Sequence, residues 1–324
     1  MKSQLSSQTL NLCTLFDSRF LLQGISMIRS LEVYSSVNIN WTILALDDET
    51  FKYLLKIDDL NLEVITLDSI DDLDLKSLRG IRPWRELCWT SAACLLQYVN
   101  SKLEKDQIAA YIDADCFFFH DISKTLQPLS NGGSIAIHEH RFSPDRIQWL
   151  ERSGRFNVGL VAGVKGTEFD QCLARWRMQV LESCEVNPSE GKCGDQTYLN
   201  EWPELYSKLV ILGEKGIGVA PWNLNNYNVT RRNGKLFVDN SPLEFFHFHG
   251  IEIGFINSNF AFYTALNGYN LDNQNYKLIY SDYVLSMISN INSRNRIRFK
   301  PKIKFLIWWI KAIITKQILF AIKK

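Results

Sequence analysis

The chain has 324 residues, of which 46% are apolar and 22% are charged. This composition is ordinary for a folded globular protein and excludes an extensively disordered chain or one embedded throughout in a membrane. The net charge of +1 hides an asymmetry, because residues 294–324 carry ten basic and no acidic side chains and leave −9 for residues 1–293.

Short apolar runs alternate with helical patterns over the first 120 residues. The runs predict strands at 10–16, 41–48, 62–69 and 108–112, and the patterns predict helices at 20–34 and 89–103. The last run, IAAYI, is apolar throughout, as in a central strand buried on both faces. This alternation predicts an α/β fold, with a doubly wound, Rossmann-like and mainly parallel sheet and helices on both of its faces.

Residues 121–250 have shorter elements and more Gly, Pro and Asn than the first 120 residues. No internal repeat or low-complexity linker separates the two parts. We therefore expect residues 121–250 to pack on the first sheet and to form the side that binds a second substrate.

Two aspartates, Asp113 and Asp115, follow the fourth predicted strand in the sequence YIDAD. A carboxylate in an apolar core costs several kcal/mol, about 3–5 when it has no partner, unless it is paired or holds a cation. In doubly wound sheets the carboxyl ends of the strands border a crevice where ligands bind. Two carboxylates there could hold one hard divalent cation, which would bridge diphosphate oxygens. The alternative is an acidic turn that caps the following segment.

Further short segments follow this pair in chain order: FNVGLVAG, GDQTYLN, APWN and HFHG. Over residues 10–255 the series resembles the metal-dependent glycosyltransferases of the GT-A fold, particularly family 8 and its bacterial relatives in surface-polysaccharide synthesis. The resemblance implies a GT-A domain over residues 1–255, with a nucleotide-binding half at 1–120 and an acceptor half at 121–255, followed by a helical region at 256–324. It also implies a nucleotide-diphosphate-sugar donor, a glycan or lipid-linked acceptor, and Mn²⁺ or Mg²⁺.

The resemblance assigns roles to residues that match the family's motifs. Asp113, Asp115 and His247 become metal ligands, with His249 as the rival of His247, and only one of the two histidines is expected to serve. Imidazole beside carboxylates suits manganese. The donor-binding residues are Asp17, Arg85, Asp113, Ala114, Asp115, Gly159 and Gly250, and the catalytic residues are Asn157, Asp195 and Gln196.

Structural explanations compete with several of these roles. Asn157 and Gly159 could form a turn, Asp17 could be a solvated cap, and Asp195 could be a helix N-cap. Arg82 is an alternative to Arg85 as a phosphate ligand, since either guanidinium suits a diphosphate.

The sequence also departs from the family pattern. Gly250 is followed by IEIGF and not by the Lys-Pro-Trp of family 8, so a phosphate contact must come from Lys215 or an arginine. Trp222 and Asn223 resemble a segment beside the acceptor pocket, although a buried tryptophan is the more usual explanation.

The C-terminal segment, residues 303–324, is interrupted by lysine too often for a spanning helix of about 20 apolar residues. On a helix its lysines would line one stripe beside a wide apolar face, which is typical of a helix lying on an anionic membrane. We therefore expect residues 294–324 to attach the protein to such a surface. An oligomer-forming helix is the alternative, and no motif favours nucleic acid.

The seven cysteines show no metal-ligand spacing, and their odd number predicts reduced thiols and a cytoplasmic protein. No signal peptide is visible, so we expect the protein at the inner face of the cell membrane. Two other functions remain open. One is a haloacid-dehalogenase-like phosphatase, which also uses Asp-x-Asp, and the other is a non-catalytic membrane-bound assembly subunit.

Overall fold

A computed structural model of the chain describes residues 9–186, 193–256, 259–264, 269, 276–292 and 318–323. The strands in these ranges are β1 (Leu10–Phe16), β2 (Ile39–Ala45), β3 (Leu62–Ile65), β4 (Ile108–Ile112), β5 (Cys116–Phe118), β6 (Ile135–Glu139), β7 (Phe156–Val164), β8 (Leu209–Ile211), β9 (Val229–Arg232), β10 (Lys235–Val238), β11 (Ser241–Pro242), β12 (Phe245–His247), β13 (Ile251–Ile256), β14 (Asn259–Thr264) and β15 (Ile318–Lys323). The α-helices are α1 (Leu21–Tyr34), α2 (Asp48–Leu54), α3 (Leu73–Ser77), α4 (Trp84–Ser101), α5 (Ile122–Thr125), α6 (Gln127–Ser130), α7 (Trp149–Ser153), α8 (Thr167–Glu182), α9 (Trp202–Leu205) and α10 (Tyr276–Asn292).

The central sheet has seven strands in the order β3-β2-β1-β4-β7-β6-β8. Strands β3, β2, β1 and β4 are parallel to one another, as expected for strands joined by helical crossovers. Strand β7 runs antiparallel to both β4 and β6, and β8 is parallel to β6. The prediction of a mainly parallel α/β sheet is therefore confirmed, with one reversed strand next to β4.

Helices cover both faces of this sheet because successive strand residues point to opposite sides. On β4, Ala109 and Tyr111 join an apolar cluster with residues of α4 and α8. Ile108, Ala110 and Ile112 point the other way, into a cluster with residues of α1. Strand β4 is buried along its whole length, so its first freely accessible positions come where the strand ends.

A third apolar cluster lies beyond the carboxyl end of β4. Strands β5 and β12 pair there in antiparallel fashion, with Phe246 opposite Phe117. Phe248 stacks on Tyr283 of α10, with ring centroids 3.8 Å apart. Helix α10 also reaches α1 through a hydrogen bond from Asn290 Nδ2 to Ser26 Oγ (2.9 Å). The pairing of β5 with β12 is what carries a distant part of the chain to the end of β4.

The predicted elements of the first 120 residues agree with the structure in type and differ at their ends. The runs at 10–16 and 108–112 form β1 and β4 over those same residues. Strand β3 ends at Ile65, because residues 67–69 form a 3₁₀ helix. Helix α4 begins at Trp84, directly after Pro83, which disfavours the helical conformation for the residue before it.

The prediction of a C-terminal amphipathic helix over residues 303–324 is wrong for the last residues of that range. Residues 318–323 form β15, which pairs with β14 in antiparallel fashion. The sequence ILFAIK is rich in β-branched and aromatic residues, which suit a strand edge as well as a helix face. The remainder of the predicted tail, residues 294–317, lies outside the described residues. Within the described ranges, no helix is both long enough and apolar enough to cross a membrane.

An ion pair fastens α3 to α8 beside the sheet. Asp72 is only 8% exposed, caps α3 by accepting from Leu75 N (2.9 Å), and accepts from Arg177 Nε and Nη2, both at 2.7 Å. Asp74 contacts the same guanidinium (2.9 Å) but is 73% exposed. Burial alone would raise the pKa of Asp72, but the hydrogen bonds from Arg177 and Leu75 lower it below its ordinary value.

We predict that Asp72→Ala lowers the free energy of unfolding by about 2–3 kcal/mol, because it removes a helix cap and leaves Arg177 with one exposed partner. Asp74→Ala is the matched control and should cost less than about 1 kcal/mol. Urea denaturation of both variants measures the difference. Because the pKa of Asp72 is lowered in the folded state, the difference should shrink as the pH falls through that pKa. Equal losses of unfolding free energy in the two variants at neutral pH would contradict the stabilising role of Asp72.

Candidate metal centre

The turn after β4 presents two carboxylates. Asp113 N donates to Gly159 O of β7 (3.1 Å), and Cys116 N donates back to Asp113 O (3.0 Å), which closes the turn. Ala114 between the two aspartates is buried in the apolar cluster under the sheet. Because Ala114 points into the core, the carboxylates of Asp113 and Asp115 project from the turn, with side chains 30% and 13% exposed.

Strand β12 places an imidazole against these carboxylates. His247 lies opposite Cys116 in the β5–β12 register, and Phe248 N donates to Asp115 O (2.7 Å). His247 Nε2 is 3.0 Å from Asp115 Oδ1 and 3.8 Å from Asp113 Oδ2. The possible ligand atoms of these three residues all lie within 4.8 Å of one another. The structure thus brings together the three residues that the sequence predicts as metal ligands.

His249, the rival ligand, is directed elsewhere. It lies two residues beyond the end of β12, and its Nδ1 is 2.8 Å from the Tyr269 hydroxyl. Burial lowers the pKa of His249 to about 4. The geometry therefore favours His247 over His249 as the third ligand.

The charges within this cluster depend on one another. Burial raises the pKa of Asp113 above its ordinary value, and repulsion by Asp115 adds to this although His247 opposes it. Burial would also raise the pKa of Asp115, but the charge and hydrogen bond of His247 outweigh it and lower the pKa. For His247, burial is outweighed by the two carboxylates, and the pKa is raised. Two carboxylates this close favour a positive charge between or beside them.

The donor set fits a divalent cation. Asp113 Oδ1 accepts a hydrogen bond from the Tyr111 hydroxyl (2.9 Å), which leaves Oδ2 toward His247. Carboxylate oxygens are the ligands that Mg²⁺ and Mn²⁺ prefer, and an imidazole nitrogen is more usual for Mn²⁺ than for Mg²⁺. The residues present are therefore suited to such an ion.

Asn157 of β7 supports the imidazole from behind. Its Oδ1 is 3.1 Å from His247 Nδ1 and accepts from Gly159 N (2.9 Å). Its Nδ2 faces His140 Nε2 (3.1 Å) and Gln196 Oε1 (3.3 Å). Asn157 and Gly159 lie inside β7, so the alternative interpretation as a turn that enters the strand is wrong.

Asp195 and Gln196 border the same region. Gln196 begins the 3₁₀ helix Gln196–Glu201, and Asp195 precedes it without making a side-chain capping bond. Asp195 therefore occupies the N-cap position, as the alternative interpretation expected, but its side chain does not cap the helix. Burial, followed by the charge of Asp113, raises the pKa of Asp195 well above its ordinary value. Trp176 Nε1 donates to Asp195 O (3.0 Å) and fixes the backbone here.

The other predicted donor residues have varied surroundings. Asp17 follows β1 and accepts from Arg19 and from Trp84 Nε1 (3.0 Å), so it is a paired carboxylate outside the Asp113–Asp115–His247 cluster. It is also buried, so the interpretation of Asp17 as a solvated cap is wrong. Gly250 has φ +78°, a left-handed conformation that favours glycine, in the turn between β12 and β13. Lys215, a candidate phosphate ligand, is paired with Asp239 (2.7 Å).

The two candidate arginines differ sharply. Arg82 Nη1 donates to Thr90 Oγ1 (2.5 Å) and Val180 O (2.6 Å), and its Nη2 donates to Leu181 O (2.9 Å), so Arg82 joins α4 to the end of α8. Arg85 is exposed, and its charge contributes to the lowered pKa of His249. Within the part of the chain that the structure describes, Arg85 forms no hydrogen bond or ion pair. Only Arg85 is thus available to a ligand.

Two further side chains lie at the site: His140, which the sequence motifs did not indicate, and Trp222, which was expected mainly as a buried core residue. The Trp222 ring meets the His247 ring edge-on, with centroids 5.1 Å apart, and its Nε1 donates to His140 O (3.0 Å). The sequence IAIHEH carried a signal for His140, because histidines at the end of an apolar strand are unusual in a core. Trp222 is buried, as expected for a core tryptophan, and it also borders the site.

No protein-family model matches the chain. Two uncharacterized proteins of Bacillus subtilis (strain 168) are similar to it in sequence. YfnD is 27% identical over 282 residues, which cover 86% of this chain and 89% of YfnD. YfnF is 32% identical over 254 residues, which cover 76% of this chain and 82% of YfnF.

Solved structures of glycosyltransferases resemble the fold. One is the galactosyltransferase LgtC in complex with donor and acceptor sugar analogs, with a TM-score of 0.54 and 12% identity over 86% of this chain and 95% of LgtC. Another is the bifunctional glycosyltransferase WbbM, with a TM-score of 0.51 and 14% identity over 78% of this chain and 47% of WbbM. At such identities the likeness concerns the fold, and that fold is the GT-A type.

We predict that Gly159→Ala weakens binding of Mn²⁺ about tenfold or more and lowers the free energy of unfolding by about 1–3 kcal/mol. A Cβ at this position would lie 2.6 Å from Asn157 Oδ1 and 2.8 Å from His247 Nδ1, so both groups would have to move. The control is Gly213→Ala, where the nearest atom is 3.9 Å away. Calorimetric titration with Mn²⁺ and urea denaturation measure both effects. Equal Mn²⁺ affinity in the two variants would contradict the claim that Asn157 holds the His247 ring in place for the cation.

Proposed function

Because the chain belongs to the same family as the Bacillus subtilis protein YfnF and has the GT-A fold, we propose that it is a divalent-metal-dependent glycosyltransferase. It moves a hexose or related sugar from a nucleotide-diphosphate donor to a glycan or lipid-linked acceptor in cell-surface polysaccharide synthesis. The likeness to a galactosyltransferase solved with donor and acceptor sugar analogs supports this class of substrate.

The observation that carries the proposal is the cluster of Asp113, Asp115 and His247 at the carboxyl end of β4. This is the edge of a doubly wound sheet at which ligands bind. Two close carboxylates are costly unless a positive charge offsets them, and a nucleotide-sugar diphosphate is an anion that needs the same charge. A cation bound here would neutralise the negative charge that develops on the departing diphosphate.

The residues around the cluster are suited to bind the donor. Arg85 lies in the first turn of α4 with an exposed guanidinium that has no hydrogen-bond partner among the described residues, and a guanidinium matches phosphate geometry. The positive end of the α4 dipole lies at the same place and adds to the attraction for an anion. We assign Arg85 to the diphosphate, and we assign the Ala114 backbone, Gly159 and Gly250 to the walls of the donor pocket.

The amide of Gln196 and the carboxyl of Asp195 form the side of the site that would orient the sugar, and Asn157 holds the Gln196 amide in place. Gln196 Oε1 accepts from Asn157, so its amide nitrogen is directed away. That nitrogen forms no hydrogen bond within the described ranges, and we assign it to a hydroxyl or the ring oxygen of the donor sugar. In the reaction the oxygen of an acceptor hydroxyl becomes bonded to the anomeric carbon, the bond from that carbon to the diphosphate oxygen breaks, and the hydroxyl proton leaves with the diphosphate or passes to solvent. Orientation and preorganised charge supply most of the rate in such a site.

We predict that Asp115→Ala lowers Mn²⁺-dependent release of nucleoside diphosphate at least about a hundredfold, because it removes one carboxylate ligand and the partner of His247. Asp58→Ala, at an exposed aspartate outside the site, is the matched control and should retain the wild-type rate. Release is measured with a panel of nucleotide sugars, each with and without Mn²⁺.

The other outcomes of this experiment are also decisive. Undiminished release by Asp115→Ala would contradict the proposal. Release of inorganic phosphate from a simple phosphoester by the wild type, without a nucleotide sugar, would instead indicate a phosphatase. If no nucleotide sugar raises the melting temperature in the presence of Mn²⁺, the result would favour the alternative of a non-catalytic assembly subunit.

The basic C-terminal segment, residues 294–324, is proposed to hold the enzyme against the anionic inner face of the cell membrane. The basic charge of this segment supports the proposal, since each basic residue near such a surface contributes about 1 kcal/mol to membrane binding. We predict that replacing the eight basic residues of 294–317 with glutamine, which keeps β15 in the chain, abolishes flotation with vesicles containing anionic lipid. Vesicles of neutral lipid are the control, and unchanged flotation of the substituted protein would exclude this role.

A further inference from the structure

A chain of hydrogen bonds runs from a backbone carbonyl to the proposed metal ligand His247. It starts at Gly154 O and passes through the His140 ring and then the Asn157 amide. It continues through the His247 ring and ends at His247 Nε2 beside Asp115. All three side chains are buried. The direction of every hydrogen bond in this chain follows from the two backbone groups that flank it.

The first of these backbone groups is a carbonyl. Gly154 O can only accept, so His140 Nδ1, 3.0 Å away, carries the proton. Burial lowers the pKa of His140 to about 3, so its ring is neutral and its Nε2 has a free lone pair. Asn157 must therefore present its Nδ2 donor to this nitrogen, at 3.1 Å.

The second backbone group is an amide. Gly159 N–H can only donate, so the Asn157 atom that faces it at 2.9 Å is Oδ1. The two ends thus fix the same orientation of the Asn157 amide independently. Because Oδ1 only accepts, His247 Nδ1, 3.1 Å away, must carry a proton. A neutral His247 then has its lone pair on Nε2, the atom that faces both aspartates.

We propose that His140 is a positioning residue that acts through Asn157 to hold His247 in the tautomer whose Nε2 lone pair faces the cation. This inference rests on the proposed metal-dependent function and adds a determinant of metal affinity. Metal-bound histidines commonly owe their orientation to the partner of the other ring nitrogen. Here that partner is an amide, which can rotate, and His140 opposes its rotation.

The role belongs to the His140 side chain and can be separated from its backbone. His140 O accepts from Trp222 Nε1 (3.0 Å) and Asn223 Nδ2 (2.8 Å), and these bonds survive a change of side chain. Without the imidazole, only Gly159 N and the longer contact of Nδ2 with Gln196 Oε1 (3.3 Å) would fix the Asn157 amide. A rotated amide would present Nδ2 to His247, whose Nδ1 would then accept and whose Nε2 would carry the proton. That tautomer cannot bind a cation through Nε2.

Three variants test the proposal. His140→Leu removes the acceptor for Asn157, whereas the side-chain oxygen of His140→Gln can replace it. His138→Leu is the control, because His138 is an equally buried histidine two residues earlier, packs edge-on against Phe245, and has no hydrogen-bond partner for either ring nitrogen among the described residues. Mn²⁺ affinity is measured by electron paramagnetic resonance of the free ion, without any sugar.

We expect His140→Leu to weaken Mn²⁺ binding about ten- to a hundredfold, with His140→Gln and His138→Leu within a few-fold of the wild type. Equal affinity of His140→Leu and the wild type would overturn the proposal. Equal losses in all three variants would also overturn it, because they would indicate general damage to the core.

A second readout observes the tautomer directly. Long-range ¹H–¹⁵N spectra distinguish the two neutral forms of histidine, and the five histidines of the chain can be assigned by single substitutions. Without metal, Asp115 Oδ1 lies 3.0 Å from His247 Nε2 and favours a proton there. The spectra are therefore recorded at alkaline pH in an Asp115→Ala background, where His247 should carry its proton on Nδ1 and should populate both forms when His140→Leu is added. An unchanged Nδ1–H form in His140→Leu would refute the proposal. If the wild type binds no Mn²⁺, the proposed metal dependence fails, whereas the tautomer spectra still decide the role of His140.

Discussion

The mutual repulsion of two carboxylates at the end of a buried strand is the constraint on which the site depends. Asp113 and Asp115 leave the apolar strand β4 with only partial access to solvent, and His247 is held within hydrogen-bond distance of Asp115. Such an arrangement is stable only when positive charge offsets it. The same requirement makes the site suited to a cation and, through the cation, to a diphosphate.

The fold satisfies this constraint by joining three strands at one point. Strand β4 supplies the carboxylates, β7 supplies Asn157 and the glycine that allows close approach, and β12 supplies the imidazole. The antiparallel β7 runs beside β4 and places Gly159 O against Asp113 N. The β5–β12 pair is held in register by stacked aromatic rings such as Phe118 and Phe245. Apolar packing on both sides thus limits the movement of the polar atoms.

Much of this arrangement could be predicted from the sequence. An uninterrupted apolar run fixed the place of β4, and the two aspartates after it indicated a site at its end. The order of the later motifs indicated that His247 would meet them. These signals are local in sequence, or follow from the general rule for the edge at which parallel sheets bind ligands.

Other features depend on long-range contacts that a local pattern does not contain. Arg82 and Arg85 lie three residues apart and look alike in sequence, yet only the packing of α4 on α8 commits Arg82 to the carbonyls of Val180 and Leu181. The residues 318–323 have a composition that suits a helix or a strand, and an open edge on β14 decides for the strand. His140 gains its importance from partners 14 and 17 residues away.

Asp113, Asp115 and His247 are proposed to hold one divalent cation together. The most direct measurement is the anomalous scattering of a crystal grown with Mn²⁺ and a nucleoside diphosphate, collected at the manganese absorption edge. We expect a single strong peak within bonding distance of both carboxylates and of His247 Nε2, with phosphate oxygens on its far side. A peak elsewhere, or none at these three side chains while the nucleotide is bound, would contradict it.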